Sequence, residues 1–178
     1  EAARLGAQVT LVSGPVAIKD SPGIATLHVE TAEEMFEAMT DNAATQDIVI
    51  MTAAVGDYRP LEVSATKIKK GDENLVLTLG RTRDILKHLG EHKPAGQLLV
   101  GFALETNDEE ANALGKMERK NLDFIVLNSL RDPGAGFGSS TNKITVFSRK
   151  GEMHNFELKG KDAVATDIWS VLCNAIEK

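Results

Sequence analysis

Apolar positions fall into two rhythms along this chain. Three runs are apolar almost without interruption: Asp47-Ile-Val-Ile-Met-Thr-Ala53, Gln97-Leu-Leu-Val-Gly-Phe-Ala103 and Leu122-Asp-Phe-Ile-Val-Leu-Asn128. A strand reads this way when both of its faces are buried, as in the middle of a parallel sheet. Elsewhere apolar residues alternate with polar ones or recur at helical spacing. The pattern predicts further strands over 8–13, 25–29 and 74–79, and a hairpin of 143–149 with 153–158 turned by Lys150-Gly-Glu152. Helices are predicted over 31–44, 83–90, 107–120 and 162–177. Two of them announce their starts. Thr31-Ala-Glu-Glu34 is a capping box, in which the hydroxyl and the carboxylate each satisfy a free backbone N–H, and Asn107-Asp-Glu-Glu110 puts a capping residue and acids at a helix N-terminus.

Glu1-Ala-Ala-Arg-Leu-Gly6 reads as the end of a helix with Gly6 at its C-cap. A strand–turn–helix unit is therefore expected upstream, and 1–178 reads as one domain that is N-terminally truncated. Strands alternating with helices predict an α/β fold: a three-layer, Rossmann-like, mostly parallel sheet with a C-terminal hairpin. Ligands of such sheets bind outside the carboxyl ends of the strands. That directs attention to Ala53–Asp57, Phe102–Thr106, Asn128 and the Gly-rich loop 131–142.

Composition narrows the class. The chain has 178 residues, 42% of them hydrophobic and 26% charged, which suits a packed soluble domain. Its formal net charge of −6 and aromatic content of 4% argue against a nucleic-acid binder, which relies on a positive field and on stacking surfaces. One cysteine, Cys173, forbids an internal disulfide and fits a reducing, cytoplasmic setting. His88 and His92, four apart on a predicted helix, read as surface residues, and no metal site is expected. No apolar run approaches the roughly 20 residues of a membrane span.

Several segments carry possible chemistry. In Thr52-Ala-Ala-Val-Gly-Asp-Tyr58, small residues leave room for a flat group against the backbone, and Asp57 can accept from a ribose diol; the same segment also reads as a plain strand-to-loop turn. Lys67-Ile-Lys-Lys70 crowds three ammonium groups that an anion such as a triphosphate would relieve, or that water solvates. Lys116 and Lys120 share a helix face, and neither has an acidic partner three or four residues earlier. Gly134-Ala-Gly-Phe-Gly138 lacks the strand-then-helix context of a dinucleotide fingerprint and reads as a flexible loop or lid. There is no P-loop motif, and Tyr58 is followed by Glu62 where a short-chain dehydrogenase would have lysine.

Taken in order, these stretches resemble the phosphopantothenoylcysteine synthetase domain, usually the C-terminal half of the bacterial bifunctional coenzyme A biosynthesis protein. The matching stretches are Ala7-Gln-Val-Thr-Leu-Val-Ser-Gly-Pro15, Ala53-Ala-Val-Gly-Asp-Tyr-Arg59, Lys67-Ile-Lys-Lys70, Gly101-Phe-Ala-Leu-Glu-Thr106, Lys120-Asn-Leu-Asp123 with Asn128, and Gly136-Phe-Gly-Ser139 with Asn142. They cover nearly the whole chain.

The resemblance implies a ligase. It would join 4′-phosphopantothenate to cysteine through an acyl-cytidylate made from CTP, releasing pyrophosphate and then CMP, with Mg²⁺ accompanying the nucleotide. It implies that Met51, Thr52, Ala53 and Phe102 frame the nucleotide and that Asp57 holds it. Gly80, Arg81, Thr82 and Arg83 would line the site, and Lys116 and Lys120 would bind the nucleotide. Lys67 would be the catalytic lysine on a mobile flap that reaches across a homodimer. FMN would enter only with a decarboxylase domain fused upstream. The family's Ser-Asn-x-Ser-Ser-Gly-Lys-type segment should precede Glu1, and Gly56 stands where the family often has Ala. Two other classes compete: an NAD(P)- or flavin-dependent oxidoreductase on the same sheet, and a non-catalytic nucleotide-binding module.

Overall fold

The computed structural model describes residues 1–70, 74–129 and 139–176. After a 3₁₀ turn at Ala3–Leu5 come β1 (Thr10–Ser13), β2 (Ala25–His28), α1 (Ala32–Ala43), β3 (Ile48–Met51), β4 (Tyr58–Pro60) and β5 (Leu79–Arg81). They are followed by α2 (Ile85–His92), β6 (Leu98–Glu105), α3 (Glu109–Arg119), β7 (Phe124–Ser129), β8 (Thr141–Ser148), β9 (Met153–Gly160) and α4 (Lys161–Ile176). The central sheet has the order β3-β6-β7-β8-β9. Its first three strands run parallel and the C-terminal hairpin joins antiparallel, so the sheet is mixed.

Helices cover both faces. On one side Met35 and Phe36 of α1, Ile85 and Leu89 of α2 and Ala113 of α3 pack on Val49, Leu99, Ile125 and Leu127. On the other, Val164, Ile168, Val171 and Leu172 of α4 pack on Val100, Val126, Ile144 and Val146. The apolar runs around Leu99 and Ile125 are thus buried from both sides, as their composition requires. The capping box of α1 forms in full: Glu34 N–H donates to Thr31 Oγ1 (3.1 Å) and Thr31 N–H to Glu34 Oε2 (3.0 Å). Gly6 caps the opening turn at φ 93°.

Four expectations need correction. The run 47–53 ends its strand at Met51, and among the described residues β3 is an edge strand whose Ile50 is 37% exposed. Among the described residues β1 and β2 pair with each other in a separate parallel ribbon rather than with β3. Residues 74–79 alternate in sequence, but the strand starts only at Leu79, and Leu75, Val76 and Leu77 are exposed. Its partner β4 lies inside what reads as loop; Pro60 stands at a position where no ladder N–H is needed, and Leu61 N–H beyond it still donates to the Thr78 carbonyl (3.0 Å). The α3 cap is Asp108 in the left-handed region (φ 44°), without a side-chain capping bond; Asn107 instead accepts through its carbonyl from Asn112 Nδ2 (2.9 Å). His88 is half-buried rather than a surface residue, its ring 4.8 Å from that of Phe36 and stacked on His92. The loop over Gly134–Gly138 lies outside the described residues.

At the amino ends of the strands, away from the expected site, Asp123 ties elements together. Its carboxylate accepts from Lys93 Nζ (2.6 Å) and from Leu99 N–H (2.7 Å). At the same end, α2 meets the turn after α3 through Gly90. A Cβ there would lie 1.9 Å from the Lys120 carbonyl oxygen, which is backbone and cannot swing aside. Gly90→Ala should therefore destabilise by about 2 kcal/mol despite the better helix propensity of alanine. Urea unfolding checks this, and a stability equal to or above the parent would refute the close approach. No described helix is long and apolar enough to cross a membrane.

Candidate active site

Beyond Met51 the chain leaves β3 as an irregular segment that returns to the sheet end through Asp57. Thr82 staples it there: its N–H donates to the Asp57 carbonyl (2.9 Å) and its hydroxyl to the Gly56 carbonyl (2.6 Å). The strap after β5 then enters α2 through Asp84, which caps that helix by accepting from Lys87 N–H (2.9 Å). Together with the ends of β6 and β7 and one face of α3, these segments wall a cleft of about 1090 Å³. It sits at the carboxyl ends of the parallel strands, where ligands of open α/β sheets bind. Its volume suits a nucleotide together with a second small substrate.

Met51, Thr52, Ala53, Asp57, Arg81, Thr82, Arg83, Phe102, Lys116 and Lys120 all line this cleft. Residues 50 to 70 positions apart in sequence meet here. Lys67 and Gly80 are not among its lining residues. Lys67 belongs to an exposed stretch, and a Cβ on Gly80 would lie 2.3 Å from Leu61 Cδ2, so this glycine serves the packing of the β4–β5 ribbon. Arg83 lines the cleft but its guanidinium is held by α1: Nε donates to Glu33 Oε2 (3.1 Å) and the group lies 3.5 Å over the Phe36 ring. Its visible work is to anchor the strap.

The lysine pair is not unpartnered. Lys120 forms an ion pair with Asp84, and Lys116 Nζ donates to the Phe102 carbonyl (2.7 Å). Both partners are distant in sequence, so a search of neighbouring helix turns does not find them. Burial lowers the Lys116 pKa below the ordinary lysine value, with Glu105 opposing it and Lys120 adding to it. For Asp84 burial acts upward, but the hydrogen bonds from Lys120 and Lys87 N–H outweigh it, and its pKa lies below the usual carboxylate value.

Sequence reasoning missed Arg119 and Lys161, which also line the cleft, and placed Glu105 there only as part of the segment Phe102–Thr106. Arg119 was legible in principle, since it lies three residues after Lys116 on the same helix face. Asn128, at the end of β7, presents an Oδ1 shielded from solvent with no hydrogen-bond partner among the described residues. Six cations (Arg81, Arg83, Lys116, Arg119, Lys120, Lys161) face three carboxylates (Asp57, Asp84, Glu105). In a chain of net charge −6 this local excess is a field that gathers anions. Among the described residues no group of three or more His, Cys, Asp or Glu side chains could hold a metal ion.

The sequence matches, over residues 1–175, the family described as DNA/pantothenate metabolism flavoprotein C-terminal domain. A relative named Cysteine/Cysteine sulfinic acid decarboxylase, from an unknown prokaryotic organism, is 52% identical over 94% of this chain and 47% of its own length. The Coenzyme A biosynthesis bifunctional protein CoaBC of Bacillus subtilis (strain 168) is 45% identical over 94% of this chain and 41% of its own length. The crystal structure of the C-terminal domain of a Coenzyme A biosynthesis bifunctional protein CoaBC superposes with a TM-score of 0.82 at 38% identity, covering 99% of this chain and 78% of that one. The chain spans less than half the length of the two curated relatives.

Proposed function

The chain belongs to the DNA/pantothenate metabolism flavoprotein C-terminal domain family, and on that premise we propose that it is the ligase part of a coenzyme A biosynthesis protein, joining 4′-phosphopantothenate to cysteine. The observation that carries this reading is the cation-rich cleft at the strand ends, with Lys116 fixed on the Phe102 carbonyl beside it.

The chemistry follows from the charges. A carboxylate oxygen of phosphopantothenate attacks the α-phosphorus of CTP, a P–O bond breaks, and pyrophosphate leaves. The cysteine amine then attacks the acyl carbon, an amide forms, CMP departs and the amine gives up a proton. The first step brings an anion up to a polyanion. Lys116 and Lys120 lower that repulsion and stabilise the charge that grows on the departing pyrophosphate. Asp57 holds the ribose, while Phe102 and the small residues Thr52 and Ala53 leave a slot for the base. Mg²⁺ arrives on the triphosphate as part of the substrate. FMN belongs only to a decarboxylase domain fused upstream, where the decarboxylase activity in one relative's name would also reside.

Lys67 lies outside its own chain's cleft, on an arm that exposes Leu61 (54%), Val63 (87%), Ile68 (58%), Val76 (83%) and Leu79 (54%). So much apolar surface on one ribbon suits a second copy of the chain. In that homodimer Lys67 serves the partner's cleft.

The test is product analysis with the full-length protein, Mg²⁺, 4′-phosphopantothenate and cysteine, giving CTP and ATP in parallel. CMP and pyrophosphate should appear together, require phosphopantothenate and favour CTP. Release with neither nucleotide would overturn the ligase reading and return the oxidoreductase and nucleotide-sensor readings to first place.

A further inference from the structure

The face of α3 that looks into the cleft carries a third cation, and the helix is shaped to receive it. Arg119 is exposed at the cleft wall, and no hydrogen bond or ion pair engages its guanidinium among the described residues. Lys116 and Lys120, three and one residues away, are both engaged. One turn back from Arg119 stands Gly115, in the interior of α3. A Cβ added to Gly115 would lie 2.9 Å from Arg119 Nη1 and 3.9 Å from its Cζ. The arginine therefore folds back along the helix and rests its head on bare glycine backbone. Glycine in a helix interior costs stability, and three cations at this spacing repel one another.

We propose that Gly115 and Arg119 form one phosphate-binding device, in which the glycine seat holds the guanidinium fork toward the cleft for two-point contact with a substrate phosphate. The proposal rests on the ligase reading and deepens it. The ligand class follows from shape: a planar fork of N–H donors matches two oxygens of a phosphate, which an ammonium group cannot do. Depth separates the labour. Lys116 is half-buried and meets the deeper part of the ligand, whereas Arg119 is exposed and meets the part nearest the mouth. That phosphate comes from the triphosphate tail of the nucleotide or from the 4′-phosphate of phosphopantothenate.

Calorimetric titration of the full-length protein with CTP, CMP, 4′-phosphopantothenate and pantothenate separates the sources. Arg119→Ala should weaken binding of one phosphate ligand about tenfold or more, the scale of losing hydrogen bonds to a charged group. Arg119→Lys should restore only part of it. Gly115→Ala keeps every charge but occupies the seat. It should weaken the same ligand by a comparable factor while the melting temperature rises by roughly 2 °C, since alanine is the better helix former. A loss for CTP but not CMP assigns the triphosphate tail; a loss for phosphopantothenate but not pantothenate assigns the 4′-phosphate. Unaltered affinities in Gly115→Ala or Arg119→Ala, or a lowered melting temperature in Gly115→Ala, would overturn the device while leaving the ligase reading in place if the unsubstituted protein binds CTP. Failure of the unsubstituted protein to bind any phosphate ligand would overturn both.

Discussion

Lys67→Ala should cut pyrophosphate release at least ~100-fold, the scale of removing one well-placed electrostatic group from a transition state. The fold should not notice. Lys67 sits in an exposed stretch, where Ser64 and Thr66 make only a local turn through Ser64 Oγ and the Thr66 carbonyl (2.6 Å). Unfolding midpoints of the variant and the parent should therefore coincide. Because Lys67 does not line its own chain's cleft, its effect should cross between subunits. Mixing equal amounts of Lys67→Ala and Lys116→Met chains gives dimers of which half are mixed, each with one complete cleft. Activity should then recover to about a quarter of the parent's in a two-fold symmetric dimer. Activity of Lys67→Ala within a few-fold of the parent would remove the catalytic role. A dead mixture of two folded variants would remove the action across the dimer.

Lys116→Met should lower kcat/KM for CTP by roughly 100-fold, on the same reasoning about a positioned charge. Here the stability outcome differs in kind. The Lys116 amine is charged at a half-buried position, and burial already pulls its pKa down. Methionine keeps the aliphatic stem and removes the desolvation cost, so the variant should be no less stable than the parent. The pKa direction also sets a pH dependence. Phosphate favours the ammonium form, so nucleotide binding should take up protons and weaken as pH rises through the lowered Lys116 pKa. The high-pH loss should vanish in Lys116→Met. A variant with parental kcat/KM, or a loss that persists in it, would contradict the assignment.

How much of this the sequence could tell depends on the range of each interaction. Thr31 and Glu34 lie three residues apart and cap one helix, so their box was legible and formed as read. The apolar runs around Leu99 and Ile125 identified the buried strands for the same reason: burial on both faces leaves no polar position. The run around Ile50 carries the same signature, yet its strand is an edge strand among the described residues, because pairing depends on which other strands are present. Leu75–Leu77 alternate like a strand, yet the described β4–β5 ladder stops short of them, its last bond running from Leu61 N–H to the Thr78 carbonyl (3.0 Å).

The cleft shows the same division. Strand ends point to ligand sites in any parallel sheet, so Ala53–Asp57 and Phe102–Thr106 could be named from position, while Met51 came only from the resemblance. The partners of the α3 lysines could not. Asp84 lies 36 residues before Lys120, and the Phe102 carbonyl lies 14 before Lys116. Arg119 and its seat on Gly115 lie four residues apart on one helix, but a glycine beside an arginine makes no charge pair that sequence spacing would mark. The anchoring of Arg83 on Glu33 spans 50 residues, so it could not be seen in the sequence beside the nucleotide role that the resemblance implied for Arg83.

The proposed reaction activates the carboxylate by its attack at the α-phosphorus of CTP. Phosphopantothenate labelled with ¹⁸O in its carboxylate tests it directly. When the cysteine amine displaces the nucleotide, one labelled oxygen stays on the departing phosphoryl group. The account predicts the label in CMP, with unlabelled pyrophosphate, as read by mass spectrometry of the products. Label in inorganic phosphate, with CDP as the other product, would mean attack at the terminal phosphorus and would contradict it.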